Sequence, residues 1–154
     1  MDTSPSEKLE AMGLELPPAP LPAGLYKPVL VIDKFLYVSG QGPMKSDGTL
    51  MKGRAGDDIT LEEAKSGARQ VALTMLSTIQ EHYGSIDNIK RLVKTLGMVN
   101  STPDFENQPL VINGFSELMA EVFGPDNGVG VRSAVGMILP GGISVEIEAV
   151  FELH

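Results

Sequence analysis

Ser144-Val145-Glu146-Ile147-Glu148-Ala149-Val150-Phe151-Glu152-Leu153 is the stretch on which the fold turns. Val145, Ile147, Ala149, Phe151 and Leu153 alternate with Ser144, Glu146, Glu148, Val150 and Glu152, so a strand here has one apolar and one acidic face. The apolar face must be covered by the rest of the chain, and the acidic face must meet water or another molecule. Just upstream, Val131 to Leu139 reads as a partner strand, joined to the last one by the Pro140-Gly141-Gly142 turn.

Reading outward, Pro109 can open a helix whose stripe is Leu110, Phe115, Leu118, Met119, Val122 and Phe123 before Gly124, with a loop over 125–130. Ile89 to Asn100 reads as a strand. Thr60 and Glu63 form a capping box, and Ala64, Ala68, Val71, Met75, Leu76 and Ile79 follow at helical spacing up to Gly84, giving a helix over about 61–83. Val29–Ile32 and Phe35–Val38 flank Asp33-Lys34 as a hairpin, ended by Ser39-Gly40-Gln41-Gly42-Pro43. Asp47-Gly48 marks a further turn.

At the N-terminus, Ser4-Pro5-Ser6-Glu7 has the pattern of a capped short helix, stopped by Gly13. Leu14 to Ala23 holds four prolines in ten residues and should run extended over the surface, since proline cannot donate to a sheet ladder. The chain therefore divides into a helix and proline-rich arm, 1–23, and one domain, 24–154. The arm is expected to drape over a neighbouring subunit and narrow a cleft entrance. The element order, hairpin, helix, strand, helix and two strands, predicts an α+β fold: a single mixed sheet with both long helices on one face through right-handed crossovers. No helix remains for the opposite face, which carries Glu146 and Glu148, so association between copies is the economical way to build a pocket there.

Composition narrows the function. The 154 residues, 42% of them hydrophobic, suit one domain with a core. A formal charge of −8 repels phosphate backbones and disfavours non-specific nucleic-acid binding. The absence of cysteine removes disulfides, thiolate nucleophiles and thiolate metal sites. No cluster has metal-ligand spacing, His82 and His154 are expected to be exposed and idle, and Gly40-Gln41-Gly42 lacks the third glycine of a dinucleotide fingerprint. Neither a metal nor a cofactor is expected. Without a signal-like or membrane-spanning stretch in 1–23, the expected setting is cytoplasmic, with no membrane partner.

The informative constellation is Arg132 near the start of one strand and Glu146 on the next. A guanidinium fits a carboxylate with two parallel hydrogen bonds, and a nearby carboxylate of tuned pKa could orient a water or move protons to a leaving nitrogen. On spacing alone an ordinary cross-strand ion pair explains the two residues better.

The blocks Gly24-Leu25-Tyr26, Tyr37-Val38-Ser39-Gly40-Gln41-Gly42-Pro43, Val131-Arg132-Ser133-Ala134-Val135 and Val145-Glu146-Ile147-Glu148-Ala149 resemble successive blocks of the Rid (YjgF, reactive intermediate deaminase) family over roughly residues 20–154. Asn113 with Glu117 resembles the family's second-helix pattern. The resemblance implies a chorismate-mutase-like fold and a homotrimer with clefts shared by adjacent subunits. It further implies hydrolysis of small 2-imino or enamine acids to 2-oxo acids and ammonia, a form of metabolite damage control. In that setting Arg132 grips the substrate carboxylate and Glu146 positions the attacking water, while Tyr26, Ser39, Asn113 and the main chain at Ala134 line the cleft. Beside these roles, Tyr26 could simply pack the arm, Ser39 could satisfy a strand end and Asn113 could bond locally. The sequence departs from the deaminase branch at Ala134, where a cysteine is usual, and at Gly136, where an acidic residue is usual. Those departures keep open a non-catalytic trimer that binds a small carboxylate and regulates a partner. An endoribonuclease, the third reading, lacks an acid–base histidine and has the wrong charge balance.

Overall fold

A computed structural model describes residues 3–154. Its elements are α1 (Pro5–Ala11), β1 (Val29–Ile32), β2 (Phe35–Gln41), α2 (Leu61–His82), β3 (Ile89–Asn100), α3 (Gln108–Phe123), β4 (Val131–Met137) and β5 (Val145–Leu153). The strands form one five-stranded mixed sheet in the order β1-β2-β5-β3-β4, antiparallel throughout except for the parallel β3–β4 pair.

Local chemistry sets the element ends. In both α1 and α2 the N-cap hydroxyl accepts from the backbone three residues on while a glutamate reaches back: Ser4 with Glu7, and Thr60 with Glu63. The β1–β2 hairpin turns through Asp33, which takes a positive φ of 54° as short acidic side chains tolerate. Along β5, Val145, Ile147 and Phe151 are fully buried, and the intervening glutamates are not.

The final pair of strands is not a hairpin. β3 lies between β4 and β5 and bonds to both, so the Pro140–Gly142 turn carries the chain across a strand instead of folding it back on its neighbour. β4 also ends at Met137 rather than Leu139, and Ser144, expected on the acidic face, is buried before β5 begins.

Helix α2 is buried on every side from Val71 to Ile79, more than a single apolar stripe predicts. The sheet covers one side and α3 another, Met44 bonds the α2 residues Gln70 and Thr74, and Ser77 Oγ donates to the Pro17 carbonyl at 2.6 Å. Small residues permit this crowding. A β-carbon at Gly114 of α3 would lie 2.2 Å from the Lys65 carbonyl oxygen of α2, and one at Gly97 of β3 would run into Ile112 of α3.

The first half of the N-terminal segment packs on its own chain. Leu9 of α1 is buried in the common core, and Ser6 bonds both carboxylate oxygens of Asp87 at 2.8 and 2.6 Å. Beyond Pro17 the chain rises to the surface, where Leu21 and Leu25 stand exposed. No described helix is long and apolar enough to cross a membrane.

Candidate functional site

Arg132 sits on edge strand β4, opposite Thr95 of β3, and its side chain lies on the helix-covered face. One Nη donates to Ser116 Oγ at 2.9 Å and the other to the Pro109 carbonyl at 3.1 Å. Pro109, Asn113 and Ser116 fall at i, i+4 and i+7 of α3, so a single stripe of that helix faces β4. Two of the five N–H donors are engaged; the others remain available to a ligand. Arg132, Asn113, Ser116 and Thr95 line a crevice of about 210 Å³ between α3 and β4.

Glu146 lies on the other face. Its register partner is Met98, and its flanking residues Val145 and Ile147 are buried beneath the helices. Between Val38 and Gln41 the β2–β5 register slips, a bulge that sets Gly40 beside this carboxylate. No hydrogen-bond or ion-pair partner reaches Glu146 among the described residues. Burial raises its pKa, and the like charge of Glu148 raises it further. A half-buried, unpaired carboxyl of this kind is suited to taking and returning a proton.

Ser39 occupies the same open face and donates from Oγ to the Lys27 carbonyl at 2.6 Å. With Tyr37, Lys27, Lys94 and Glu148 it lines a shallow crevice of about 550 Å³. Tyr26 is half-exposed in the bend that follows the arm, and its hydroxyl accepts from the Ala23 backbone N–H at 3.0 Å. Ala134 pairs with Gly97 and, partly buried, packs its methyl at the margin of the core. Glu117 pairs with Lys65 at 3.2 Å on the outside of α2 and α3.

Within one chain, then, the expected residues form two groups. Arg132 and Asn113 share the α3–β4 crevice, Ser39 and Glu146 share the open sheet face, and β3 separates them. The cross-strand Arg132–Glu146 ion pair that spacing favoured does not exist. The larger open-face crevice does not include Arg132. Sequence reasoning missed Thr95 and Ser116. Ser116 was legible in principle, three residues beyond Asn113 on one helix face, whereas Thr95 depended on the parallel β3–β4 pairing. His82 and His154 are exposed, as expected, and no group of three His, Cys, Asp or Glu could hold a metal among the described residues.

A small α+β protein with a half-covered mixed sheet, an edge-strand arginine braced by a helix and an unpaired glutamate on the bare face defines the structural class. Residues 6–139 match the family described as "YjgF/chorismate_mutase-like, putative endoribonuclease", and the chain belongs to that family. It is 40% identical over 147 residues to Protein TCP17 of Trypanosoma cruzi, a match covering 95% of this chain and 92% of that one. Among solved structures, Atu1372 of Agrobacterium tumefaciens, a protein of unknown function, is similar at 37% identity and a TM-score of 0.87, covering 98% of this chain and 94% of the other. A protein from Shewanella oneidensis MR-1 is similar at 27% identity and a TM-score of 0.92, covering 98% and 100%.

Proposed function

We propose that this protein hydrolyses small 2-imino or enamine acids to 2-oxo acids and ammonia, in a cleft completed by a neighbouring copy of the chain in a homotrimer. The observation that carries the reading is the bracing of Arg132. Ser116 and the Pro109 carbonyl fix one part of the guanidinium, and its free donors match a ligand carboxylate. Because Glu146 faces the opposite side of the same sheet, joining the two groups over one small ligand requires the open face of one subunit to meet the β4 edge of another. Exposed apolar residues on that face and edge, including Tyr37, Leu30, Val131 and Met137, support such an association.

In the cleft, Arg132 holds the carboxylate and Asn113, Tyr26, Ser39 and the Ala134 main chain orient the rest. Glu146 of the adjoining subunit accepts a proton from water as the oxygen adds to the imine carbon. The same proton then passes to the imine nitrogen to give a carbinolamine; Glu146 takes the proton of the new hydroxyl and delivers it to the amine as the C–N bond breaks, so ammonia leaves, a carbonyl remains and one water is consumed per imine. No group outside the chain is needed for this balance. An endoribonuclease reading fits less well, since both histidines are remote from these residues and the formal charge is −8.

Ammonia-linked turnover of freshly generated 2-iminopropanoate, compared between wild type and Arg132→Ala with assembly checked for both, is the test. Turnover that depends on Arg132 is expected. Saturable 2-oxo acid binding without hydrolysis above the uncatalysed rate would instead leave a regulatory carboxylate-binding trimer, a reading to which Ala134 and Gly136 lend weight.

A further inference from the structure

We propose that the α3–β4 crevice is a subsite for a hydrogen-bonding side chain on the ligand, so that the protein prefers short 2-imino and 2-oxo acids bearing a hydroxyl to apolar acids of the same size. This rests on the reading that Arg132 grips the ligand carboxylate.

Thr95 is the reason. It sits opposite Arg132 in the parallel ladder and is 1% exposed, and its Oγ1 has no hydrogen-bond partner. Buried hydroxyls are nearly always satisfied, and one left unpaired beside a crevice is a group awaiting a partner. Asn113 lines the same crevice and its amide has no partner among the described residues, so a donor and an acceptor are both on offer. Leu92 and Val129 supply an apolar wall.

The chemistry is selective in one direction. An apolar side chain entering the crevice would leave the already buried Thr95 Oγ1 unpaired and cover the Asn113 amide without compensation, whereas a hydroxyl can donate to one and accept from the other. The volume of about 210 Å³, several times the ~30 Å³ share of one water, has room for the carboxylate and side chain of a short acid together. Ser116 acts through Arg132 as a positioning residue and favours neither ligand.

The test is calorimetric binding of two near-isosteric acids, hydroxypyruvate and 2-oxobutanoate, to the assembled full-length protein and to Thr95→Val, which keeps the shape and removes the hydroxyl. Wild type should bind hydroxypyruvate about three- to tenfold more tightly, the range of one net hydrogen bond. Thr95→Val should erase that ratio by weakening hydroxypyruvate alone. A ratio near one in wild type, a ratio unchanged in Thr95→Val, or no binding of either acid would overturn the subsite. Arg132→Ala should lose both acids. If it keeps both with the ratio intact, the carboxylate grip fails and the subsite stands. Because binding needs no turnover, absence of deaminase activity leaves the result readable.

Discussion

Gly40 and Glu146 compete for one space on the open face: a β-carbon built on Gly40 would lie 2.6 Å from Glu146 Oε2. The glycine is required by this close approach, since its backbone is not among those with positive φ. The carboxylate lies against the bulge in β2 because no side chain stands there. The position of the proposed proton acceptor is thus set by a neighbour on another strand.

Gly40→Ala should therefore move the carboxylate rather than unfold the protein. The atom in the way is the end of a flexible side chain, so the stability change should be under about 1 kcal/mol, while imine turnover falls at least tenfold, toward that of Glu146→Gln. Melting curves and kcat/KM measured on the same preparations check both halves.

The raised pKa of Glu146 gives a pH dependence of known sign. Folding favours the neutral acid, so this group's contribution to stability is present at low pH and is lost as pH rises from the ordinary carboxylate range through the raised value. As the proposed proton acceptor it must be ionised, so kcat/KM should fall as pH drops through that same raised value. Glu148→Gln, which removes the like charge, should move the acidic limb to lower pH.

At Gly136, where the sequence departs from the deaminase branch it resembles, neighbouring side chains crowd the place a β-carbon would take. A β-carbon there would lie 2.8 Å from Ser101 Oγ and 3.1 Å from Gln108 Nε2, two groups that bond each other at 3.2 Å. Gly136→Ala should destabilise by about 1–3 kcal/mol, as overpacking does, and the cost should shrink in a Ser101→Ala background. Denaturant midpoints for the four members of that cycle decide it.

Leu9 ties α1 into the core at 4% exposure, helped by the Ser6–Asp87 bonds. Leu9→Ala should cost about 2 kcal/mol or more by the usual large-to-small penalty, whereas Glu117→Gln, which breaks an exposed pair with Lys65, should change stability by less than about 1 kcal/mol. Thermal unfolding of the two variants makes the comparison.

Much of the fold is legible in the chain because the signals are local. The Thr60–Glu63 box marks the start of α2, the uninterrupted run Ile89–Asn100 is β3 from end to end, and the alternation in β5 assigns its two faces correctly. The pairing of β4 was not legible. Residues 138–144 resemble a tight connection, yet β4 and β5 lie two strand spacings apart, about 9.5 Å, which seven residues span easily. Nothing in the turn records that β3 has taken the place between them. The all-round burial of α2 was hidden for a similar reason, since Pro17 and Met44 reach it from distant parts of the chain.

Taken alone, the sequence determined the identity and limits of the helices, the two-faced character of β5, the family resemblance and the residue types suited to a carboxylate and a proton. Each of these follows from periodicity, capping or motif, properties that neighbouring residues carry together. Tertiary structure decided that Arg132 and Glu146 stand on opposite faces with β3 between them, that Ser116 and the Pro109 carbonyl brace the guanidinium, and that Thr95 lies buried and unpaired beneath it. Those relations depend on strand order and helix placement, which arise from contacts between segments far apart in the chain and leave no mark in the spacing of adjacent residues.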